Sequence, residues 1–246
     1  MNYSNLPSYL RYTNIVPVRD QGVCTSCWAF SVADMLADRM CIYTQGNFYE
    51  QLSVQPMISC FTEHSGCFVG GAPELVYIWI AKNGLPIARE YPYEQFYTPD
   101  IKPCKHVTPA ITIDTHHTLT QICKPNYTRE QNILNMKREI FLNGPIVGSF
   151  TIYDSFVTQT PNKVFVLNDL NPGKRRGEHS IEIIGWCDKG KDNRPSFSQY
   201  AYWICRTSWG KDWPDIGMGS VFYSIMGENQ CGIEERASSA RPILFF

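Results

Sequence analysis

Apolar positions along this chain follow two periods, and the change between them falls near its middle. From Trp28 onward the pattern is helical: Trp28, Val32, Met35 or Leu36, and Met40 recur at three- to four-residue steps, the spacing of one helix face. This predicts a buried helix from Cys27 to about Met40 with Ser26 as its N-cap. A short second helix is expected to begin near Ser53. A third runs from about Pro73 to Lys82, where proline suits the first turn and Asn83-Gly84 a C-terminal stop. Residues 85–127 hold six prolines and little periodicity, which reads as a long ordered loop. Thr128 caps a further helix bearing Ile133, Leu134, Lys137, Ile140 and Phe141, ending at Gly144-Pro145.

Beyond Pro145 the segments Ile146–Tyr153, Lys163–Asn168, Ser180–Cys187, Tyr200–Arg206 and Ser220–Met226 are rich in Val, Ile, Tyr, Phe and Trp and bounded by turn residues. Residues 1–26 read as extended and irregular, since Pro7 and Pro17 argue against helix. The expectation is an α+β fold spanning 1–246 as one domain, with a mainly helical lobe over about 1–110 and a mainly β lobe over about 111–246.

Composition narrows the classes. At 246 residues the chain can bury a substantial core, and 43% hydrophobic with 18% charged residues is ordinary for a globular protein. A formal net charge of -1 gives no electrostatic case for nucleic acid or an anionic membrane. No apolar run is long enough to span a bilayer, and the first residues lack the basic-then-apolar pattern of a signal peptide. Ten cysteines are many for a reducing compartment and point to some disulfides. Asn2-Tyr3-Ser4 and Asn126-Tyr127-Thr128 fit the glycosylation triplet, a pattern common by chance.

The chemistry concentrates in Arg19–Ser31, R-D-Q-G-V-C-T-S-C-W-A-F-S. A cysteine in the first turn of a helix meets unsatisfied N–H groups and the positive end of the helix dipole, which lowers a thiol's pKa. The Cys24/Cys27 spacing admits three chemistries: a redox pair, which needs a preceding strand; a zinc site with His64 and Cys67; or Cys27 as a nucleophile with Cys24 in a disulfide. A nucleophilic cysteine needs a base. Of the five histidines, His64, His106, His116 and His117 fall in loops, whereas His179 opens the strand H-S-I-E-I-I-G-W, placed to face another lobe.

R-D-Q-G-V-C-T-S-C-W-A-F-S resembles the nucleophile motif of papain-like cysteine proteases, and later stretches fall in that family's order. These are L-S-V-Q-P-M-I-S-C, G-C-F-V-G-G, N-G-L-P-I-A-R-E-Y-P-Y, G-E-H-S-I-E-I-I-G-W, Y-W-I-C-R-T-S-W-G and N-Q-C-G-I-E. Within the family, A-D-R-M-C-I-Y-T and Q-I-C-K-P-N-Y-T are similar to the cathepsin B type. The resemblance implies a two-lobed α+β fold with the active site between lobes, hydrolysis of peptide bonds in proteins, and no metal or organic cofactor. Cys27 becomes the nucleophile and His179 the general base and acid. Gln21 donates to the oxyanion hole beside the Cys27 amide, and Trp209 shields the histidine's outer hydrogen bond.

Departures from the family pattern carry equal weight. Thr207 stands where the family has asparagine, which implies roughly tenfold lower activity, or a catalytically weak protein that binds peptides. Thr25 replaces a glycine, and the G-C-F-V-G-G stretch with Gly70 and Gly71 is one residue longer, so the substrate-backbone rim is reshaped. Arg236 would floor the pocket for the second side chain before the cut, with Ser149 and Ser180 as walls. It either favours acidic side chains there or is neutralised by Glu234 or Glu235. Val107 replaces the second of two adjacent histidines that give cathepsin B its dipeptide-removing activity, which implies mainly endopeptidase behaviour.

The family pattern also implies bridges Cys24–Cys67 and Cys60 to Cys104 or Cys123, leaving several thiols free. With no visible signal or pro-segment, that tilts the expectation toward an intracellular or virus-associated setting, against a lysosomal or secreted enzyme trimmed to its mature part. Partners implied are peptide or protein substrates and a separate inhibitor or pro-segment.

Overall fold

The structure, a computed structural model, describes residues 17–61, 66–68, 70–120, 128–159, 163–166, 171–213 and 220–245. His64, Cys123, Asn2, Asn126 and the end of the predicted strand Lys163–Asn168 lie outside them. Three helices occupy the first third: α1 (Cys27–Tyr43), α2 (Gln55–Ser59) and α3 (Pro73–Asn83). Then follow β1 (Ile111–Thr118), α4 (Arg129–Asn143), β2 (Ile146–Tyr153), α5 (Asp154–Val157), β3 (Val164–Phe165) and β4 (Arg175–Cys187). The chain closes with α6 (Pro195–Ser198), β5 (Tyr202–Arg206), β6 (Val221–Ile225) and β7 (Ala237–Leu244). The class is α+β.

The strands form a seven-stranded sheet in the order β1-β7-β2-β4-β5-β6-β3, antiparallel except for the β3–β6 edge. One apolar core gathers Trp28, Phe30, Met35 and Leu36 of α1 with Met57, Tyr77 and Ile111. A second gathers Phe150, Phe156, Ile183, Trp203 and Phe222. Val147 and Ala240, from strands of the second half, belong to the first core.

Several expectations need correction. Ser26 makes no side-chain cap; its carbonyl receives the Ala29 and Phe30 amides instead. α1, by contrast, is the buried helix that the pattern predicts: every residue from Cys27 to Cys41 is buried, Asp34, Asp38 and Arg39 included. Thr128 does cap α4, accepting from the Gln131 amide at 3.3 Å. The expected loop over 85–127 contains β1, whose approach to α3 requires Gly84. There φ is +67°, and a Cβ would lie 2.7 Å from the Ile111 carbonyl oxygen. His179 does not open its strand: β4 starts at Arg175, and its charged first residues pair with the end of β2. β7 was not expected at all. Among the described residues, no helix is long and apolar enough to cross a membrane.

Candidate active site

The turn Asp20–Cys24 delivers the chain to α1 with Cys27 as the first helical residue, 9% exposed. Two anchors fix that approach. A disulfide joins Cys24 to Cys67, and Thr25 gives both its amide and its hydroxyl to the Cys67 carbonyl. A second disulfide joins Cys60 to Cys104. The first bridge takes two of the four donors of the zinc alternative, and no group of three metal-ligating side chains occurs among the described residues. It equally removes Cys24 as redox partner of Cys27.

Opposite stands β4. The Ser180 amide donates to the Cys27 Sγ at 3.5 Å, so the residue next to His179 touches the thiol. His179 is 3% exposed, and its Nε2 lies 2.5 Å from the Thr207 hydroxyl at the end of β5. With Nε2 donating to that oxygen, Nδ1 is left as the basic nitrogen. Trp209 covers the ring at 4.6 Å between centroids and is itself backed by Trp213 and Phe156.

Three hydrogen bonds tie Gln21 to Cys24 and Ser208. Its backbone amide donates to the Ser208 carbonyl, its Nε2 donates to the Cys24 carbonyl at 2.8 Å, and its Oε1 accepts from the Ser208 hydroxyl at 2.7 Å. The carboxamide orientation is thereby set, and its second N–H meets no acceptor among the described residues. Sequence reasoning missed Ser208, although it sits inside the T-S-W-G stretch. It also missed Tyr93, whose hydroxyl donates to the Gln21 carbonyl at 2.6 Å. Gly71 packs where a Cβ would come within 2.6 Å of the Trp28 indole, so a side chain there would displace the ring. Gly70 takes φ +71°.

Burial dominates the electrostatics. It pushes the Cys27 thiol up, against the downward pull of the amides of Ser180, Trp28 and Cys27 itself. The helix-start effect is therefore present but outweighed, contrary to the sequence expectation. Burial also pushes His179 down to about 3. Both shifts favour the uncharged forms, thiol for Cys27 and imidazole for His179.

Ser149 faces Ser180 across the β2–β4 ladder, their hydroxyls 3.0 Å apart. Arg236 is paired, but with neither expected partner. Its guanidinium donates to Glu178, which also accepts from Arg175 and from Thr151. Burial works against the Glu178 anion, while Thr151, Arg175 and Arg236 hold its carboxyl below the usual range. Glu234 turns inward instead, accepting from the Trp203 indole and from the Gly227 and Asn229 amides. His116 and His117 lie on β1 opposite Ala240 and Ser239, at the far side of the sheet from His179. His106 is exposed two residues after Cys104.

Residues 9–241 match the model of the papain family of cysteine proteases. A cathepsin B-like cysteine proteinase 5 of Caenorhabditis elegans is 32% identical over 92% of this chain and 70% of its own length. A gut-specific cysteine proteinase of the same nematode is 29% identical over 88% of this chain and 66% of its own. The chain thus spans about two-thirds of the length of such relatives. Among solved structures, proCathepsin B S9 from Trypanosoma congolense superposes with a TM-score of 0.75 at 22% identity, covering 100% of this chain and 77% of that one.

Proposed function

The chain belongs to the papain family of cysteine proteases, and we propose that it hydrolyses peptide bonds with Cys27 as nucleophile and His179 as its base. The observation that carries the assignment is the meeting of the first residue of α1 with β4, Sγ 3.5 Å from the amide beside His179. Sulfur attacks the scissile carbonyl carbon as its proton passes to the imidazole. The carbonyl oxygen becomes an oxyanion, stabilised by the Cys27 amide and the spare N–H of Gln21. Collapse to a thioester expels the amine, which takes the proton from His179. Water then attacks the thioester, giving its proton to the same nitrogen and restoring the thiol as the acid leaves.

The imidazolium formed in the first step is buried, and the Thr207 hydroxyl supports it as hydrogen-bond acceptor. Trp209 keeps competing water from that bond. The two larger apolar cores, with this site between α1 and β4, support a single domain of two lobes over 1–246. Gly70 and Gly71 hold the rim for substrate backbone, and Arg236 with Ser149 and Ser180 forms the pocket for the second side chain before the cut. The solved pro-enzyme supports a pro-segment or separate inhibitor as partner.

With His116 and His117 remote and Val107 beside the lone His106, the enzyme acts mainly as an endopeptidase. An epoxide or vinyl-sulfone probe should label the wild type and not Cys27→Ala, and the labelled activity should cleave doubly blocked peptides faster than it releases C-terminal dipeptides. Equal labelling of the alanine variant would overturn the nucleophile.

A further inference from the structure

Behind the catalytic pair, fully inside the protein, lies a charge cluster that the proposed chemistry does not use. Arg206 reaches two carboxylates through one nitrogen: Asp38 of α1 at 2.8 Å and Glu182 of β4. The three side chains are 9%, 4% and 2% exposed. One guanidinium nitrogen thus holds both carboxyl groups, which places Asp38 and Glu182 side by side. Each nevertheless keeps a buried oxygen, Oδ1 and Oε1 respectively, that finds no donor among the described residues. Two neighbouring carboxyl groups are each one hydrogen short at a buried oxygen.

Charge counting reaches the same point. The groups facing the cluster are Asp34 and Asp38 from α1, Glu182 from β4, Arg206 from β5, and Arg19, which bonds Asp34 at 2.5 Å. The Cys41 thiol, one turn along α1, senses Asp38 and is neutral. Three carboxyl groups therefore face two guanidinium groups in a medium that tolerates no unbalanced charge. One proton balances them.

We propose that Asp38 and Glu182 share a single proton, and that this proton holds the arm carrying Cys27 against the arms carrying His179 and Thr207. The positions make the coupling direct. Cys27 opens the helix on which Asp38 lies three turns later. Glu182 follows His179 by three residues in β4, and Arg206 immediately precedes Thr207 in β5. Once the proton leaves, two buried carboxylates repel across the α1–β4 contact and the thiol parts from the imidazole. Burial and the neighbouring Asp34 push Asp38 up to about 6 against the pull of Arg206. Burial likewise holds Glu182 well above the carboxylate range. Release accordingly falls above mildly acid pH. The residues position the catalytic pair and touch no substrate.

This inference rests on the reading of Cys27 and His179 as the reacting pair, and its test separates the two. Glu182→Gln keeps the shape and supplies the missing hydrogen at every pH; Asp38→Asn does the same from the other side. In the wild type the rate of irreversible activity loss should climb by up to about tenfold per pH unit while the native pair still holds its proton, the signature of one released proton, and level off once the pair is ionised. In either variant that climb should vanish, with activity at about pH 5 retained. A merely structural pair would shift the rate equally at all pH and leave the slope intact, which overturns the proposal. Infrared spectra of the wild type give a readout needing no activity or variant: a buried carboxylic C=O band at about pH 5 that disappears on alkalinisation. Absence of that band overturns the shared proton outright, whereas the band without Cys27 labelling would leave the proton standing and sink the catalytic assignment.

Discussion

Thr207 stands where the family pattern places asparagine, yet its hydroxyl reaches Nε2 of His179 at 2.5 Å. The shorter side chain suffices because β5 runs directly beside β4 and brings the Thr207 backbone close. What the molecule loses is the carboxamide's stronger dipole, not the bond. Thr207→Ala should therefore lower kcat/KM by about two- to tenfold, the worth of one neutral hydrogen bond, while Thr207→Asn should stay near the wild type. A tenfold gain in the asparagine variant would show that the hydroxyl is a poor acceptor. Glu178 is the other decisive residue. It holds the guanidinium groups of both Arg175 and Arg236, so one positive charge remains over at the proposed pocket. Acidic side chains two positions before the cut should be preferred, and Glu178→Gln should sharpen that preference by up to about fivefold, as befits a half-exposed ion pair. A fluorogenic library in which neither enzyme favours Asp or Glu over Leu there would remove the idea.

Elements divide by whether their pattern is local. α3 and α4 were legible because their stops and the Thr128 cap are written within a few residues of each end. The cap is testable: Thr128→Ala should cost about 1 kcal/mol in denaturant unfolding, leaving the urea slope unchanged. β2 was legible from its β-branched and aromatic run. β7 was not, because A-S-S-A-R-P-I-L has small polar residues where a strand signal needs bulk. Its first half, Ala237–Ala240, is buried because the strand lies between β1 and β2, a fact of topology rather than composition. β1 hid in a proline-rich stretch for a similar reason: only Ile111 and Ile113 turn inward, and the rest of the strand is an exposed edge. α1 was legible as a buried helix, but the partners of its charged residues were not. Asp34, Asp38 and Arg39 mark a solvent face in any periodicity argument. Their partners, however, arrive from far along the chain: Glu139 and the Pro145 carbonyl for Arg39, and Arg206 for Asp38. The proposed nucleophile Cys27 and base His179 were readable as motifs, whereas their electrostatics depended on burial that no spacing reveals.

At the scale of the whole molecule, two titrations of opposite sign meet. His179 is pushed down to about 3 in the fold, against about 6.5 in the unfolded chain. Unfolded chains therefore bind a proton that the native state refuses, and stability falls as pH drops from about 6.5 toward 3. The carboxyl pair does the reverse. Asp38 sits at about 6 in the fold and Glu182 well above its ordinary value, against about 4 unfolded. Its contribution is complete below about pH 4 and is lost as pH rises through about 6 and beyond. Between about 4 and 6 the native state gains one proton and forgoes one, so the two slopes cancel. Stability should be nearly flat across that band and fall on the alkaline side for as long as the native pair keeps its proton, since burial holds Glu182 well above the carboxylate range. On the acid side His179 is joined by carboxylates held low by partners, Asp192 by Arg194 and Glu139 by Arg39. Calorimetric Tm against pH should trace this plateau with two shoulders, and Glu182→Gln should flatten the alkaline shoulder alone. A Tm that rises steadily to about pH 8 would mean that neither buried carboxyl keeps a proton in the fold, and the balance of charges between α1, β4 and β5 would then have to be struck another way.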